Sequence, residues 1–428
     1  MRRLLLTISA AWLVLLVLAQ SPREEFEKNL RLSGSNFVAY PGPQQRKLTP
    51  APRGKHPFYI SHYGRHGSRY QTSANDYDYA YEVLQKADGE KALSQLGRDV
   101  LRRLKALRDE ASGRWGDLTP LGGQQQRGIA RRMFEQFPQV FEGEAVIDAR
   151  STTTPRCILS MAYFVEQLLR MNGKLDVRQD ASDHDRYYMR NSANIDNPAM
   201  AAKDCYDDFC NRHPSHQRVV GTLFADTAYM NHYVNAERLN YYLFRLASNL
   251  QSSELRKDMT LYDLFNDQEI YENWQKENVM WFLAFAFTDL NGGEKPFSQV
   301  NLLRNIIAQA DSCIAQPGNG CSLRFGHDTI LLPLVCLLDL NGYGQKINDM
   351  DQLERKGWVG YRIFPMACNV QFIFYRANAS DKDVLFKVLL NENEATLPLK
   401  TDQAPYYHWN DFRQYYLKLL DDHENRIH

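Results

Sequence analysis

Residues 58–69 read Phe-Tyr-Ile-Ser-His-Tyr-Gly-Arg-His-Gly-Ser-Arg, an apolar and aromatic run that ends in a polar, glycine-containing turn. The run is typical of a buried β-strand, and the turn after it places two arginines around an imidazole. Residues 145–169 and 323–338 repeat the same order of strand, polar turn and helix. Strands that alternate with helices predict an α/β sheet, and ligands bind such sheets beyond the carboxyl ends of the strands.

The composition is that of an ordinary globular protein. The 428 residues contain 51 Lys and Arg against 51 Asp and Glu, and 44% of them are hydrophobic. These values exclude intrinsic disorder. The balanced net charge argues against a nucleic-acid partner, because such proteins neutralise many phosphates with a basic excess. An anionic ligand must therefore be bound by charge that is concentrated locally.

Residues 1–19 have the pattern of a cleaved signal peptide. Two arginines form a positive head, an apolar run extends from Leu4 to Leu18, and small residues stand at the cleavage position around Ala19. The alternative is a transmembrane anchor, but that requires about 20 apolar residues and this run is shorter. We therefore expect a secreted or periplasmic protein with no stable membrane anchor.

The seven cysteines all follow this segment. In an exported protein two pairs are plausible disulfides, Cys205 with Cys210 and Cys313 with Cys321, the second because a Pro-Gly turn lies between its members. Three others have apolar neighbours and are interpreted as small buried hydrophobic residues: Cys157, Cys336 and Cys368. The sequence contains neither Cys-x-x-Cys nor His-Glu-x-x-His, so we expect no metal site and no cofactor.

The turn after the first predicted strand carries the strongest chemical signal. Arg65 and Arg69 flank His66, and their planar guanidinium groups match the oxygens of a phosphate. Gly67 allows the backbone to approach a ligand closely. We expect the surrounding cations to keep the imidazole neutral, so that its lone pair can attack phosphorus. A purely structural histidine is the alternative, and a metal ligand is disfavoured because the arginines repel a divalent cation.

Two later turns supply the rest of the predicted site. Thr154 is expected to be an N-cap and Pro155 the first helical residue, which places Arg156 where the backbone N–H groups of a helix start favour an anion. His327 would donate to a phosphate oxygen, and Asp328 would protonate the leaving oxygen. On the alternative interpretation, Asp328 is only the N-cap of the following helix and His327 a turn residue.

Residues 186–300 contain many helix formers and few strand-like alternations. We therefore predict an α/β core over residues 20–185 and 301–428, with residues 186–300 as a mainly helical insertion that roofs the site. Arg186 and Arg190 begin this insertion and are candidates for binding further phosphates of a polyanionic substrate. They are equally compatible with a role as surface or ion-paired residues.

Weaker signals complete the prediction of elements. Thr119 and Pro120 predict the start of a helix that runs to about residue 137. Residues 359–376 and 384–397 alternate like strands, with a break at residues 391–393.

The three turns together resemble those of the histidine acid phosphatases, the branch of the histidine phosphatase superfamily with Arg-His-Gly-x-Arg near its start and His-Asp or His-Ala-Glu near its end. Residues 118–122, 150–152 and 365–369 are similar to further segments of this family, reading Leu-Thr-Pro-Leu-Gly, Arg-Ser-Thr and Pro-Met-Ala-Cys-Asn. Within the family the chain is most similar to bacterial relatives of the multiple inositol polyphosphate phosphatases, as in residues 325–327, 331–334 and 388–392.

The resemblance implies an α/β fold with a phosphoglycerate-mutase-like core sheet flanked by helices. It also implies a phosphomonoester hydrolase that acts on inositol polyphosphates such as phytate. Alternatives are a general acid phosphatase for sugar phosphates or bisphosphoglycerate, a mutase-like transfer enzyme, and, from another class, a catalytically silent protein that binds phosphate or serves as a surface interaction module. No nucleic acid and no obligate protein partner are expected.

The family pattern also implies roles for individual residues. His66 would be phosphorylated, Asp328 would protonate the leaving alcohol, and four groups would bind the phosphate: Arg65, Arg69, Arg156 and His327. One departure matters, because multiple inositol polyphosphate phosphatases usually carry His-Ala-Glu, whereas residues 327–329 read His-Asp-Thr as in phytases. The resemblance therefore implies phosphatase activity more firmly than it implies the substrate.

Overall fold

The computed structural model describes residues 21–45, 47–190, 202–214 and 217–427. The predicted signal segment, residues 1–19, lies outside the described residues. Within these ranges, every helix is too short or too polar to cross a lipid bilayer.

The strands are β1 (His56–Arg65), β2 (Val146–Ser151), β3 (Asp176–Asp180), β4 (Gly320–Gly326), β5 (Asn369–Arg376), β6 (Leu385–Leu390), β7 (Asn393–Ala395) and β8 (Tyr407–His408). They form one sheet in the order β3-β2-β4-β1-β5-β6-β7, with β8 also paired to β6. Strands β1 to β4 are parallel to one another, and β5 to β8 join the sheet in antiparallel pairs.

The described α-helices are α1 (Pro22–Lys28), α2 (Asn75–Gly89), α3 (Gln95–Ala111), α4 (Pro120–Gln136), α5 (Pro155–Met171), α6 (Arg186–Met189), α7 (Lys203–Arg212), α8 (Gln217–Leu223), α9 (Thr227–Tyr233), α10 (Ala236–Asn249), α11 (Asp267–Phe285), α12 (Val300–Ile314), α13 (Asp328–Leu337), α14 (Gly360–Ile363) and α15 (Trp409–Ile427). Short 3-10 helices are Leu30–Phe37, Pro138–Phe141, Asp183–Asp185, Leu250–Ser252, Glu254–Lys257, Tyr262–Leu264, Asp289–Asn291, Lys295–Gln299, Leu340–Gly342 and Met350–Gln352.

The order of the parallel strands explains where the predicted site forms. β4 lies between β1 and β2, and the register pairs Arg65 with Gly326 and Ser151 with Phe325. The carboxyl ends of these three strands therefore meet at one edge of the sheet. The turns that follow them, which sequence analysis singled out, are brought to the same place.

Helices cover both faces of the sheet. On one face α4 and α5 enclose a cluster that includes Ile60, Phe164 and Phe325. On the other face α12, α13 and α15 enclose a cluster that includes Tyr59 and Phe372. Because helices cover both faces, the strands β1, β4, β5 and β6 are buried along almost their whole length. The predicted α/β class, with a core sheet flanked by helices, is confirmed.

A third apolar cluster joins helices from distant parts of the chain. Helices α2 and α3 pack with α8, α10 and the first half of α11, around side chains such as Leu84, Leu243 and Trp274. The second half of α11 instead packs against the face of the sheet covered by α12, through residues such as Phe282. The described parts of residues 186–300 are helical. That residues 186–300 form one inserted domain remains a proposal. Helices α2 and α3, which lie outside that range, contribute to the same apolar cluster.

The two predicted disulfides are not formed, since the seven cysteines are free thiols. Cys205 and Cys210 lie on one helix, α7, where a separation of five residues places them about 140° apart around the axis. Cys313 packs with the cluster on the α12 side of the sheet, whereas Cys321 faces α4 and α5 on the opposite side. The side chains of Cys205 and Cys210 therefore point away from each other, and those of Cys313 and Cys321 pack into different apolar clusters.

Most of the predicted elements are found, and one differs. Thr119 caps α4 through a hydrogen bond from the Gly122 amide to its hydroxyl, as expected. Residues 359–376 were expected to be extended, but residues 360–363 form α14 and only Asn369–Arg376 is a strand. The aromatic and apolar side chains of α14 are buried, so their pattern alone could not separate a short helix from a strand.

The turn after β1 packs directly on the start of α4. A Cβ atom built on Gly122 would lie 2.3 Å from the Ser68 carbonyl oxygen, and one built on Gly67 would lie 2.4 Å from the Gly122 carbonyl oxygen. Both atoms belong to backbone, which cannot move aside as a flexible side chain does. Two glycines therefore allow the helix to support the turn that carries His66.

Substituting Gly122 by Ala should force the turn and α4 apart. We expect Gly122→Ala to lower the free energy of unfolding by about 1–3 kcal/mol, the usual cost of overpacking, as measured by urea denaturation. Gly128→Ala on the same helix is the matched control. Its Cβ would meet only the end of the Arg132 side chain, at 3.2 Å, so the better helix propensity of alanine should leave stability unchanged or higher. Equal effects of the two substitutions would contradict this account of the packing.

Candidate active site

Three turns converge at the carboxyl ends of β1, β2 and β4. The rings of His66 and His327 have centroids 5.6 Å apart and are nearly perpendicular. The His66 amide donates to the Gly326 carbonyl oxygen at 2.9 Å, and the Thr152 hydroxyl lies 3.4 Å from Nε2 of His327. His66 and His327, which are 261 positions apart in the sequence, thus lie side by side at this edge of the sheet.

The His66 ring is buried and is held in one tautomer by its neighbour. Its Nδ1 lies 2.9 Å from the Gly67 carbonyl oxygen, an acceptor that requires Nδ1 to carry the proton. The lone pair of the neutral ring is then on Nε2. Burial, followed by the charges of Arg65 and Arg156, lowers the pKa of His66 well below its ordinary value. The ring is therefore neutral at neutral pH, as a nitrogen nucleophile must be.

Arg65 is fully buried and anchors the site to the surrounding backbone. Its Nη1 donates to the carbonyl oxygens of Asn36 at 2.6 Å and Phe364 at 3.0 Å. Its Nη2 lies 2.6 Å from Oδ2 of Asp328. This last contact is a close ion pair whose angles are not those of a hydrogen bond, and Nε has no protein partner among the described residues. Nε and Nη2 of Arg65 therefore retain N–H groups that are available to an anion.

Arg69 and Arg156 extend the positive charge. Arg69 is 8% exposed, and the one hydrogen bond its guanidinium makes within the described part of the chain is from Nη1 to the Tyr70 carbonyl oxygen, at 2.8 Å. Burial, then the charge of Arg65, lowers the pKa of Arg69 to about 9. Arg156 is the second residue of α5, and its pKa is also lowered, chiefly by burial. A bound anion would therefore stabilise these buried, positively charged guanidinium groups.

His327 is the N-cap residue of α13 and is positioned by three elements. Its backbone amide donates to the Tyr63 hydroxyl at 3.2 Å, and its Nε2 lies 3.7 Å from the Cys157 sulfur. Burial and the charge of Arg156 lower the pKa of His327 to about 4. The neutral ring retains one N–H, which can donate to an oxygen of a ligand in the pocket.

Asp328 occupies the first helical position of α13 rather than the N-cap position of the alternative interpretation. Its Oδ1 accepts a hydrogen bond from the Thr329 amide at 3.0 Å, and its Oδ2 contacts Arg65. Burial alone would raise the pKa of this carboxyl. Arg65, the Asn36 amide and Arg69 outweigh burial and lower the pKa below its ordinary value. Without a ligand the carboxyl is therefore ionised at neutral pH.

Several supporting residues were not found by sequence analysis. Asn36 donates from Nδ2 to Oδ2 of Asp328 at 3.1 Å, although it precedes the motif by 29 residues. Gln125 and Gln126, on α4, bond the Ser68 amide and the Arg65 carbonyl oxygen at 2.8 and 2.9 Å. The two glutamines gave a weak signal, as polar residues on the buried side of a predicted helix. Asn36 gave none.

Arg245 on α10 also approaches the cluster. Its guanidinium lies 5.0 Å from the ring of Phe37, and that of Arg69 lies 5.8 Å from the same ring. The Arg245 charge contributes to the lowered pKa of Arg69. Its Nε is buried and 3.9 Å from an oxygen of Asp76, too far for a hydrogen bond. The positive region thus continues from the three turns toward the helical cluster.

The other predicted arginines lie elsewhere. Arg186 is exposed and pairs with Asp183 at 3.2 Å. Arg190 is exposed as well. In the described ranges, no hydrogen bond or ion pair joins either of them to the residues around His66, and their role toward substrate remains a prediction. Arg150, which begins the Arg-Ser-Thr segment noted in the sequence, pairs with Asp148 at 2.7 Å and is not part of the cluster.

Comparison with known proteins adds to this geometry. Residues 64–391 match the family model of the histidine phosphatase superfamily, branch 2. The chain is 23% identical over 334 residues to human multiple inositol polyphosphate phosphatase 1, a match that covers 71% of this chain and 66% of the human protein, slightly under two thirds of its length.

Solved structures share the fold. The multiple inositol polyphosphate phosphatase of Bifidobacterium longum in complex with phosphate has a TM-score of 0.73 at 15% identity, covering 90% of this chain and 97% of that one. The same bacterial enzyme in complex with inositol hexasulfate has a TM-score of 0.71 at 16% identity, covering 89% and 96%. The phytase of D. castellii has a TM-score of 0.62 at 13% identity, covering 91% of this chain and 85% of the phytase.

The buried cations predict a trade between stability and anion binding. The pKa of Arg69 is lower in the folded protein than in the unfolded chain. At neutral pH Arg69 is charged in both states, so this lowered pKa means that its charge destabilises the folded protein. We therefore expect Arg69→Met to leave the free energy of unfolding without ligand within about 1 kcal/mol, or to raise it. The same substitution should abolish the stabilisation by inorganic phosphate, which is about 2.7 kcal/mol at a hundredfold excess over Kd.

The measurement is chemical denaturation with and without phosphate. Arg170→Met on α5 is the control, because Arg170 is exposed and pairs only with Glu166 among the described residues. It should keep the full phosphate effect. Retention of that effect in Arg69→Met would show that Arg69 does not bind the anion.

Proposed function

This chain belongs to branch 2 of the histidine phosphatase superfamily, and on that premise we propose that it is a phosphomonoester hydrolase acting through a phosphohistidine intermediate on inositol polyphosphates. The observation that carries the proposal is the buried His66 ring, whose Nδ1 is bonded to the Gly67 carbonyl oxygen and whose pKa is lowered by burial and by the charges of Arg65 and Arg156. A neutral nitrogen nucleophile among cations suits attack on a phosphate and little else.

In the first step Nε2 of His66 attacks phosphorus, and the bond from phosphorus to the leaving oxygen breaks. Arg65, Arg69 and Arg156 stabilise the charge on the phosphoryl oxygens, and His327 donates its N–H to one of them. The proton of Asp328 passes to the leaving oxygen, which departs as an alcohol. The hydrogen bond from Nδ1 to Gly67 holds the ring as it becomes positively charged.

In the second step water attacks the phosphorus of phosphohistidine. The phosphorus–nitrogen bond breaks, the Asp328 carboxylate accepts a proton from the water, and His66 returns to its neutral form. Because Asp328 must begin each cycle protonated while its pKa is lowered, turnover should be fastest at mildly acidic pH and fall as pH rises.

Three observations favour a substrate with several phosphates. Arg245 brings a fourth guanidinium beside Phe37 and Arg69, beyond the groups that one phosphate requires. The human relative is a multiple inositol polyphosphate phosphatase, and the B. longum structure holds inositol hexasulfate, a polyanion. A cyclic polyphosphate can place one phosphate at His66 and a neighbouring one at Arg245.

The signal-like residues 1–19 support the further proposal that the protein acts outside the cytoplasm. A substrate panel separates the remaining possibilities. Hydrolysis of sugar phosphates or bisphosphoglycerate in preference to phytate would indicate a general acid phosphatase, and transfer of phosphate between such molecules would indicate a mutase. Phosphate binding without release from any ester would indicate a silent protein.

The substitution His66→Ala tests the intermediate. It should abolish release of phosphate from phytate, because the nucleophile is lost, while phosphate still binds to the three arginines and stabilises the protein. Phosphohistidine is labile in acid but survives in alkali. The phosphorylated wild-type protein is therefore trapped by mixing it with an ester that carries labelled phosphate and quenching in alkali. Cys157→Ser, which changes a neighbour of His327 and leaves Nε2 of His66 in place, should keep the label. Turnover by His66→Ala at the wild-type rate would end the proposal.

The substitution Arg245→Gln tests the choice of a polyphosphate. Loss of a charge-assisted contact to a second phosphate should raise KM for phytate by about tenfold or more, and change kcat/KM for a small monophosphate by less than about threefold. Arg131→Gln is the control for net charge, because Arg131 is exposed on α4. A parallel loss on both substrates would instead assign Arg245 to the structure of the pocket.

A further inference from the structure

The Asp328 carboxylate accepts a hydrogen bond from Asn36, a residue that lies well before the Arg-His-Gly-x-Arg turn in the sequence. Three donors contact it within the described residues: Arg65 Nη2 at 2.6 Å and Asn36 Nδ2 at 3.1 Å, both on Oδ2, and the Thr329 amide at 3.0 Å on Oδ1. Oδ2 faces both the Asn36 amide and the Arg65 guanidinium, whereas Oδ1 contacts only the Thr329 amide among the described residues, so Oδ1 is the oxygen that can carry the catalytic proton. Asn36 thus helps to decide which oxygen faces the leaving group.

The segment that carries Asn36 is fixed from several sides. Ser33, in the same 3-10 helix, donates to the Leu30 carbonyl oxygen at 2.7 Å and bonds the Tyr262 hydroxyl at 3.2 Å. The Met366 amide donates to the Val38 carbonyl oxygen at 2.8 Å. The backbone oxygen of Asn36 itself accepts from Arg65. Asn36 is only 5% exposed, and the surrounding contacts hold its side chain against Asp328.

An amide differs from an arginine in what it can offer a carboxyl. Arg65 can only donate, so it favours the ionised form of Asp328. Asn36 also carries Oδ1, which is buried and has no hydrogen-bond partner in the described structure. In the observed orientation the amide donates to Oδ2, which leaves Oδ1 of Asp328 as the oxygen for the catalytic proton. The amide therefore favours the ionised form of Asp328 without adding a charge beside it.

We propose that Asn36 is a positioning residue that orients the Asp328 carboxyl and sets the pH above which it stops donating its proton. The proposal rests on the proposed function, since it assumes that Asp328 is the general acid. Other groups also act on this carboxyl from the elements packed around it: Arg65, Tyr63, Arg69, Arg156, Cys157, His327 and Cys368. Asn36 is the neutral side chain that bonds it directly.

Asn36→Leu removes the amide and keeps nearly the same volume. Loss of a donor to the ionised form should raise the pKa of Asp328 by about one unit. A carbon-13 titration of labelled aspartate, with Asp328→Asn to assign the resonance, measures this without any turnover. The upper limb of the kcat/KM profile for an alkyl phosphate should move to higher pH by the same amount. With a nitrophenyl phosphate, whose leaving group needs no proton, the profile should change little.

Two further variants make the result decisive. Ser33→Ala weakens the same segment without touching Asp328, so it should lower the unfolding temperature and leave both the titration and the pH limb unchanged. If Asn36→Leu does not fold, Asn36→Asp preserves the shape and should raise the pKa further, because two carboxyls at this distance disfavour ionisation.

The outcomes separate the two proposals. An Asp328 titration that does not move in either Asn36 variant, or that moves equally in Ser33→Ala, would overturn the role of Asn36. Equal losses on alkyl and nitrophenyl phosphates in Asp328→Asn would instead remove Asp328 from its place as general acid, while leaving the titration result intact.

Discussion

The buried ion pair between Arg65 and Asp328 is the contact on which the site depends. It joins the carboxyl end of β1 to the first residue of α13, and the same guanidinium binds the backbone of Asn36 and Phe364. Four separate segments are thereby tied to one planar group. Breaking such a pair leaves a buried charge without its partner and costs about 3–5 kcal/mol. His66 directly follows Arg65, and His327 directly precedes Asp328. The ion pair therefore fixes the positions of both histidines.

One carboxylate does not balance the charge of the pocket. Arg69 and Arg156 have no carboxylate within ion-pair distance among the described residues, and burial lowers the pKa of both. A fold selected only for stability would replace them with apolar side chains. Their retention is explained by an anion that supplies the missing negative charge.

The sequence allowed the sheet edge to be predicted because its signals are local. Apolar runs, polar turns and the Thr-Pro helix starts mark β1, β2, β4 and the helices after them, and parallel pairing then brings their ends together. The contributions of Asn36 and Arg245 could not be predicted in this way. They reach the site through the packing of a 3-10 helix and of α10, and neither residue lies in a distinctive pattern. Helical geometry likewise explains why the close pair Cys205 and Cys210 misled a prediction based on spacing.

The lowered pKa of Asp328 and its need for a proton are reconciled by the substrate. A phosphate dianion that enters the pocket neutralises the field of Arg69 and Arg156 and places negative charge near the carboxyl. Both effects disfavour the ionised form, so binding raises the pKa of Asp328 relative to the empty site. By linkage, a protonated Asp328 must then also favour binding of the dianion, since the two equilibria share one coupling free energy. Binding of the phosphate ester therefore promotes protonation of Asp328, the acid that takes part in its cleavage. Transfer of the phosphoryl group to His66 leaves that charge in the pocket, while the proton leaves with the alcohol and the carboxylate becomes free to accept a proton from water.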